Sequence, residues 1–264
     1  MKLIVAGVGY VGSTVANYLE NNGHTIIRVD PKYYDTKISD HLDADGCIIC
    51  VNTPPLEDGG CDDGNVQDVI YVVDRYMPSL VKSSVLPTLV DRYSTNVSIS
   101  PEFLRASHAK EDFENQPFMI IGDMQTEFQT FWADVFENFT CHYTNRQIAS
   151  TVKYIHNAWL ATKVVFFNEV RQQMLCDYEP MVEILKYKFL SFVFFILLTP
   201  IIIISWLLKL FENKLGSTHM DVPGPDGMLG FGGACFPKDT EALLTVLESE
   251  VLTAAVERNK TMRC

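Results

Sequence analysis

Residues Lys2 to Ala6 form a short apolar, β-favouring run without alternation, the pattern of a strand buried on both faces. Three closely spaced glycines follow, and apolar residues then recur at helical spacing from Ser13 to Asn21. Gly23 ends that helix, and Thr25 to Val29 supplies a second strand closing on Asp30. Further strand-length runs lie at Gly46 to Asn52, Val81 to Val85, Asn96 to Ser100, Phe118 to Gly122 and Cys141 to Tyr143. Helical patterns at Asn65 to Met77 and Thr126 to Phe136 separate some of them, and the acidic, glycine-rich stretch Leu56 to Gly64 reads as a surface loop. Short buried strands alternating with helices predict an α/β fold, a Rossmann-like doubly wound parallel sheet over residues 1–145.

From about Arg146 to Cys176 one helical pattern runs without proline or glycine. Its aromatic-rich part, with Trp159, Phe166 and Phe167, predicts a buried helix on which a helical central domain, 146–264, is built. One last helical run is expected from Thr240. Between them the character changes: Phe189 to Leu208 carries no charge and is flanked by Lys186, Lys188 and Lys209. As a helix it would be about 30 Å long, enough to cross a bilayer. A single crossing would put Cys235 on the opposite side from Gly7 to Asp30, and Pro200 splits the run into two short halves. The insert, about 187–211, therefore reads as an interfacial or re-entrant membrane contact, a buried helix, a patch covered by a partner subunit, or a foreign stretch in a damaged gene.

Composition narrows the classes. A chain of 264 residues with 47% hydrophobic and 20% charged residues can bury a real core. A net charge of -12 argues against a nucleic-acid partner. Seven scattered cysteines make no disulfide framework and fit a reducing, cytoplasmic setting. Cys47 and Cys50 have redox-motif spacing but sit in an apolar strand run and read as core packing. The six histidines form no metal-ligand cluster, so no metal is expected. Met1 and Lys2 lead straight into a strand, so no signal peptide is expected.

The chemistry concentrates at a few points. Gly7-Val8-Gly9-Tyr10-Val11-Gly12 is a G-x-G-x-x-G motif between strand and helix. Gly7 permits the turn, Gly9 lets the backbone approach a pyrophosphate, and Gly12 packs helix on strand, with the helix N-terminus facing the phosphates. Asp30 can accept from both ribose hydroxyls and would repel a 2′-phosphate, which favours NAD over NADP. Thr53 and Ser84 fall near strand ends, facing the crevice where such folds bind ligands. Lys153 and Asn157, four apart, share a helix face, and a buried lysine needs a partner or a purpose. In Gly230-Phe231-Gly232-Gly233-Ala234-Cys235-Phe236-Pro237-Lys238-Asp239 a cysteine stands behind glycines and ahead of a cation and a carboxylate. That pattern fits an activated nucleophile on a rigid loop, Lys238 favouring the thiolate and Asp239 orienting water. It also fits a buried cysteine in a glycine-rich turn.

Taken in order, these motifs resemble the UDP-glucose 6-dehydrogenase family, within the UDP-glucose/GDP-mannose dehydrogenases. The matching residues are Gly7 to Gly12, Val51-Asn52-Thr53-Pro54, Lys82-Ser83-Ser84-Val85, Pro101-Glu102-Phe103-Leu104-Arg105, Lys153 with Asn157, Asn168-Glu169, and Gly230 to Asp239. The resemblance implies a four-electron oxidation at C6 of a sugar nucleotide, UDP-glucose first, by two NAD molecules. Cys235 matches the nucleophile that forms a thiohemiacetal and then a thioester. Lys153 matches the oxyanion stabiliser, aided by Asn157, and Asp239 the partner of the catalytic water and of Lys153. Glu102 matches the acid–base carboxylate of thioester hydrolysis, and Ser84 stands where the family usually has threonine. The cofactor would meet Gly7, Val8, Gly9, Tyr10, Val11, Gly12, Asp30, Lys32, Thr53, Ser84 and Lys238. Glu102, Phe103, Leu104, Arg105, Lys153, Asn157, Phe231 and Gly232 would line the substrate pocket. A homodimer through the long helix is also implied.

The chain departs from the family pattern in four further places. Ala106 replaces a common second glutamate, and the stretch from Asp30 to Gly46 is short. The chain reads as a short form lacking the C-terminal nucleotide-binding domain, and the apolar insert, with its possible membrane contact through Phe189 to Leu208, has no counterpart. The alternatives are a dehydrogenase of GDP-mannose or another sugar nucleotide, and an inactive, membrane-associated dinucleotide-binding protein.

Overall fold

The computed structural model describes residues 1–116, 118–123, 125–173, 177–186 and 218–263. The apolar insert at 187–211 lies outside the described residues, as does Cys176. Among the described residues no helix is long and apolar enough to cross a membrane.

A seven-stranded sheet organises the first unit, Met1–Ala158 with Ala234–Ser249. Its strands are β1 (Lys2–Ala6), β2 (Thr25–Val29), β3 (Gly46–Ile49), β4 (Ser79–Val81), β5 (Val97–Ile99), β6 (Phe118–Gly122) and β7 (Thr140–Thr144). They lie in the order β2-β1-β3-β4-β5-β6-β7. The order reverses direction at β1, with β2 on one side and β3 on the other, so a crevice opens beyond the carboxyl ends of β1 and β3.

The unbroken apolar run of β1 has a direct cause. Successive side chains point to opposite faces, and both faces are covered. Ile4 and Ala6 join one core with Ile49, Val81 and the Val66, Val69, Ile70 and Val73 face of α2 (Gly64–Val73). Leu3 and Val5 join the other with Ile48, Leu80, Val15, Ala16 and Leu19 of α1 (Tyr10–Asn21). Trp132, Val135 and Phe136, on and just after a further helix (Thr126–Val135), complete that second core. Each fully buried aliphatic side chain contributes about 1.5–3 kcal/mol, so these two layers dominate the unit's stability.

Several expectations need correction. The sheet is not wholly parallel: β5 and β6 are antiparallel, meeting at Ile99 and Gly122. The fourth strand lies at Ser79–Val81, earlier than expected, because the Lys82 and Ser83 N–H groups both converge on the Ile49 carbonyl and end the ladder. Helix α1 begins at Tyr10, nearly a turn before Ser13. A short helix, α3 (Ala109–Glu114), precedes β6 and was not foreseen; the Thr126–Val135 helix is α4.

The long helix α5 runs from Arg146 to Gln173, but it is not buried all round. Ala149, Lys153, Tyr154 and Asn157 are buried, whereas Ile148, Val152, Ile155, Trp159 and Phe166 are exposed. Packing assigns its residues through Ala158 to the first unit, so the division differs from one at 145/146. The second unit, Trp159–Gly233 with Glu250–Cys264, holds the rest of α5 and the unforeseen α6 (Tyr178–Lys186). Its core comprises Phe167, Tyr178, Val182, Met220 and Val222, with the Tyr178 hydroxyl donating to the Met220 carbonyl at 2.7 Å. The last helical run is two helices: α7 (Phe236–Leu244) in the first unit and α8 (Glu250–Met262) in the second.

Candidate active site

The glycine loop closes the crevice at β1. Gly7 has φ +85, and a Cβ there would meet the Cys50 and Val51 backbone at 2.7 Å. Gly12 is equally constrained, since a Cβ would fall 1.9 Å from the Gly7 carbonyl oxygen. It packs the helix on the loop itself. Gly9, by contrast, faces open space: nothing lies within 4 Å of its notional Cβ. It caps α1, whose first amide groups face outward with the positive end of the helix dipole. Asp30 stands at the end of β2 and ties the loop down, accepting from the Val8 N–H (2.8 Å) and the Lys32 N–H (3.0 Å). Each carboxylate oxygen keeps a lone pair for a further donor. Just beyond, Val29, Pro31, Ile38 and Val72 help to line a cavity of about 480 Å³. A dinucleotide fits this arrangement: open space at Gly9 for a pyrophosphate, Asp30 for a ribose, and an apolar cavity for a base. Lys32 places its ammonium over the Tyr33 ring at 5.1 Å.

At the ends of β3 and β4 the Thr53 hydroxyl donates to the Ser84 carbonyl at 2.9 Å. That bond pins Thr53, which is buried, and presents Ser84, which is half-buried. The Cys61 thiol donates to the same carbonyl.

Helix α7 carries the other half of the site. Cys235 is its N-cap residue and Pro237 occupies its first turn, where a missing N–H costs nothing. Asp239, one turn on, is fully buried. Its two oxygens are taken by the Asn157 amide, donating at 2.6 Å, and by the Lys238 ammonium at 2.5 Å. Asn157 and Lys153 come from one buried face of α5. Among the described residues Lys153 forms no ion pair; its ammonium lies over the Phe103 ring at 5.5 Å. Burial pushes its pKa down, against the opposing pull of Asp239, Cys235 and Glu102. Lys238 spends its charge on Asp239, so its ammonium faces the carboxylate beside the thiol.

The loop after β5 brings Glu102 into the same region, within electrostatic reach of Lys153 and Tyr10. Glu102 is buried and pairs with Lys82, also buried, at 2.9 Å. The Lys82 ammonium is further held by Ser100. The signal for Lys82 in the sequence is a charge at the end of a buried strand. Arg105 is engaged locally, its guanidinium forked onto Asp112. Phe103 stacks edge-on against the His156 ring, and Leu104 packs on the second core. One contact joins the two halves: the Tyr10 hydroxyl lies 3.4 Å from the Cys235 sulfur.

Phe231 and Gly232 belong to the second unit. Two buried asparagines, far from that segment in the chain, hold the glycine-rich segment there. Asn168 accepts from the Gly230 N–H at 2.9 Å, while Asn259 accepts from the Phe231 N–H at 2.7 Å and donates to its carbonyl at 3.0 Å. Gly230, with φ +71, leaves the space that the Asn259 side chain uses.

No protein-family profile matches the chain. It is similar to a GDP-mannose 6-dehydrogenase of Pseudomonas aeruginosa, 24% identical over 92% of this chain and 63% of that protein. It is equally similar to a UDP-glucose 6-dehydrogenase of Rickettsia prowazekii, 25% identical over 97% of this chain and 64% of that protein. In fold it matches the structure of a UDP-glucose dehydrogenase from Pyrobaculum islandicum, with TM-score 0.75 and 24% identity over 98% of this chain and 68% of that one. The chain thus spans less than two thirds of the length of these curated relatives. In sequence this chain is similar to UDP-glucose and GDP-mannose 6-dehydrogenases, and in fold it is a Rossmann-type α/β protein.

Proposed function

We propose that the protein oxidises the C6 hydroxymethyl group of a sugar nucleotide, UDP-glucose in the first instance, to a carboxylate, with NAD bound on the glycine loop. The observation that carries this reading is the convergence of Cys235, Asn157, Asp239, Lys153 and Glu102 in the unit that also holds the glycine loop. NAD supplies the acceptor for two successive hydrides. Asp30 and the backbone of Gly7 to Gly12 hold it, and Thr53 and Ser84 flank it.

The chain's own residues handle the sugar carbon. Once C6 is an aldehyde, the Cys235 sulfur attacks it, a C–S bond forms, and the carbonyl oxygen becomes a hydroxyl by taking up the proton the thiol gives up. Lys153 and Asn157 stabilise the oxyanion as it develops. After the second oxidation the carbon is a thioester. Glu102 takes a proton from water as that water attacks, the C–S bond breaks, and its electron pair returns to sulfur. Glu102, Phe103, Leu104 and Arg105 serve the sugar-nucleotide pocket, and Lys32 and Lys238 the cofactor side. A homodimer packed through α5 is part of the same reading. Its exposed Ile148, Val152, Ile155, Trp159 and Phe166 follow a three-four spacing, as expected of a covered seam.

The test is a count of NADH formed per sugar nucleotide, offering UDP-glucose and GDP-mannose separately. Two equivalents with a carboxylate product from one of them are expected. One equivalent with an accumulating aldehyde, or none, rules the reading out; two equivalents from GDP-mannose alone move the substrate and keep the chemistry.

A further inference from the structure

The Asn157 amide is held at both ends. Its Nδ2 donates to the Asp239 carboxylate at 2.6 Å, and its Oδ1 lies 3.3 Å from Nδ1 of His156, the preceding residue on α5. We propose that His156 is a positioning residue: its Nδ1–H donates to the Asn157 side-chain oxygen and, together with Asp239, fixes the plane of that amide. The second Nδ2 hydrogen is thereby set in direction for the developing oxyanion. This last step rests on the sugar-nucleotide reading; the hydrogen bond itself needs no substrate.

The direction of the bond follows from chemistry. The Asp239 carboxylate, which also holds the Lys238 ammonium, can only accept, so Asn157 must turn its NH2 group toward it. The amide oxygen then faces His156, and that acceptor requires a hydrogen on Nδ1. The His156 ring is neutral at pH 7.5, because burial lowers its pKa and the Lys153 charge acts the same way, against the bond to Asn157. A neutral imidazole carries one hydrogen, so the bond selects the Nδ1–H tautomer over the Nε2–H one. A single anchor at Asp239 would let the amide swing about that one contact, whereas two anchors leave one plane. The bond also satisfies an oxygen on a buried side chain, where a missing partner is costly.

The His156 ring is itself held. It meets Phe103 edge-on with ring centroids 5.1 Å apart, and the Lys153 ammonium lies over the same Phe103 ring at 5.5 Å. The loop after β5, Lys153 and Asn157 are thus joined through His156 and Phe103, all within the first unit. Histidine supplies a flat body for Phe103 and a donor for Asn157. Substitution separates the two: phenylalanine keeps the ring and loses the donor, while asparagine keeps a donor close to where Nδ1 stands.

The first measurement is the tautomer. It is read from the imidazole nitrogen shifts of the nitrogen-labelled full chain at pH 7.5, the His156 signals being those lost in His156→Phe or His156→Asn. A protonated Nδ1 and a bare Nε2 are expected; the reverse overturns the proposal, and this readout decides alone if one variant fails to fold. The second is turnover with NAD and UDP-glucose or, if that is not oxidised, GDP-mannose. His156→Phe is expected to lower kcat by about threefold to tenfold with the KM for NAD within about twofold of wild type, and His156→Asn to restore kcat to within about twofold. On an Asn157→Ala background, His156→Phe should change kcat by less than about twofold, because no amide remains to be oriented. An undiminished kcat in His156→Phe, equal losses in both variants, or the full loss retained on the Asn157→Ala background each overturns the proposal. The Nδ1–H tautomer in a protein that oxidises no sugar nucleotide would sink the functional reading and leave the His156–Asn157 bond standing. NADH production with the Nε2–H tautomer would do the reverse.

Discussion

The Tyr10 phenol oxygen and the Cys235 sulfur lie 3.4 Å apart, one at the start of α1 and the other at the start of α7. Two helix N-termini thus open on one space, one capped by Gly9 and the other by Cys235. The glycine loop and the Cys235 segment, which the proposed function assigns to dinucleotide binding and to the nucleophile, thus meet at contact distance.

Removing the nucleophile should separate binding from turnover. Cys235→Ala is expected to lower NADH production from UDP-glucose by on the order of 10³ or more, because no thiohemiacetal can form. NADH binding, measured by fluorescence titration, should stay within about twofold. Wild-type turnover in this variant would remove Cys235 from the chemistry.

Lys153 makes pH the informative variable. Its pKa is lowered chiefly by burial, so the folded protein gives up that proton more readily than the unfolded chain does. The resulting cost to stability is present in full below the lowered folded value and is relieved as pH rises toward the unfolded value, about 10.4. Lys153→Met should therefore raise the melting temperature at neutral pH by about 2–4 °C, the equivalent of roughly 1 kcal/mol for a domain of this size. Activity runs the other way: in the proposed mechanism the ammonium stabilises an oxyanion, so turnover should fall as pH rises through the lowered value. Lys153→Arg should move that fall to higher pH. A lower melting temperature for Lys153→Met, or an unmoved alkaline limb for Lys153→Arg, contradicts this account.

The Lys82–Glu102 pair is buried on both sides. Lys82→Met strands a carboxylate without its counter-charge, at a cost of about 3–5 kcal/mol in urea unfolding. Lys82→Met combined with Glu102→Gln should recover most of that loss, because no uncompensated charge remains. Additive losses in the double variant would mean the two side chains act independently.

Gly9 and Gly12 should answer alanine in opposite ways. Gly12→Ala sets a Cβ against the Gly7 carbonyl and should cost several kcal/mol of stability, about 3 or more. Gly9→Ala meets nothing in the free protein and should cost about 0.5 kcal/mol or less. Its methyl group fills the approach to a pyrophosphate, so NADH affinity should drop by roughly tenfold or more. A Gly9→Ala protein that binds NADH normally would place the dinucleotide elsewhere.

Local pattern determined a good deal of this protein by itself. β1 and β6 fall where their apolar runs begin and end, because a strand covered on both faces must be largely apolar. The glycine spacing and Asp30 were legible because each meets a demand set within a few residues: a turn, a close approach, a carboxylate at a strand end. Lys153 and Asn157 were paired by helical period alone. Tertiary structure decided the rest. The antiparallel step at β6, the early end of β4 and the exposed side of α5 depend on which neighbour supplies a carbonyl or leaves a face uncovered, and no local window records that. Lys82 beneath Glu102, Asn259 on Phe231 and Tyr10 against Cys235 join residues far apart in the chain. Packing brings such pairs together, and only there do burial and distance give a side chain its charge partner and its work.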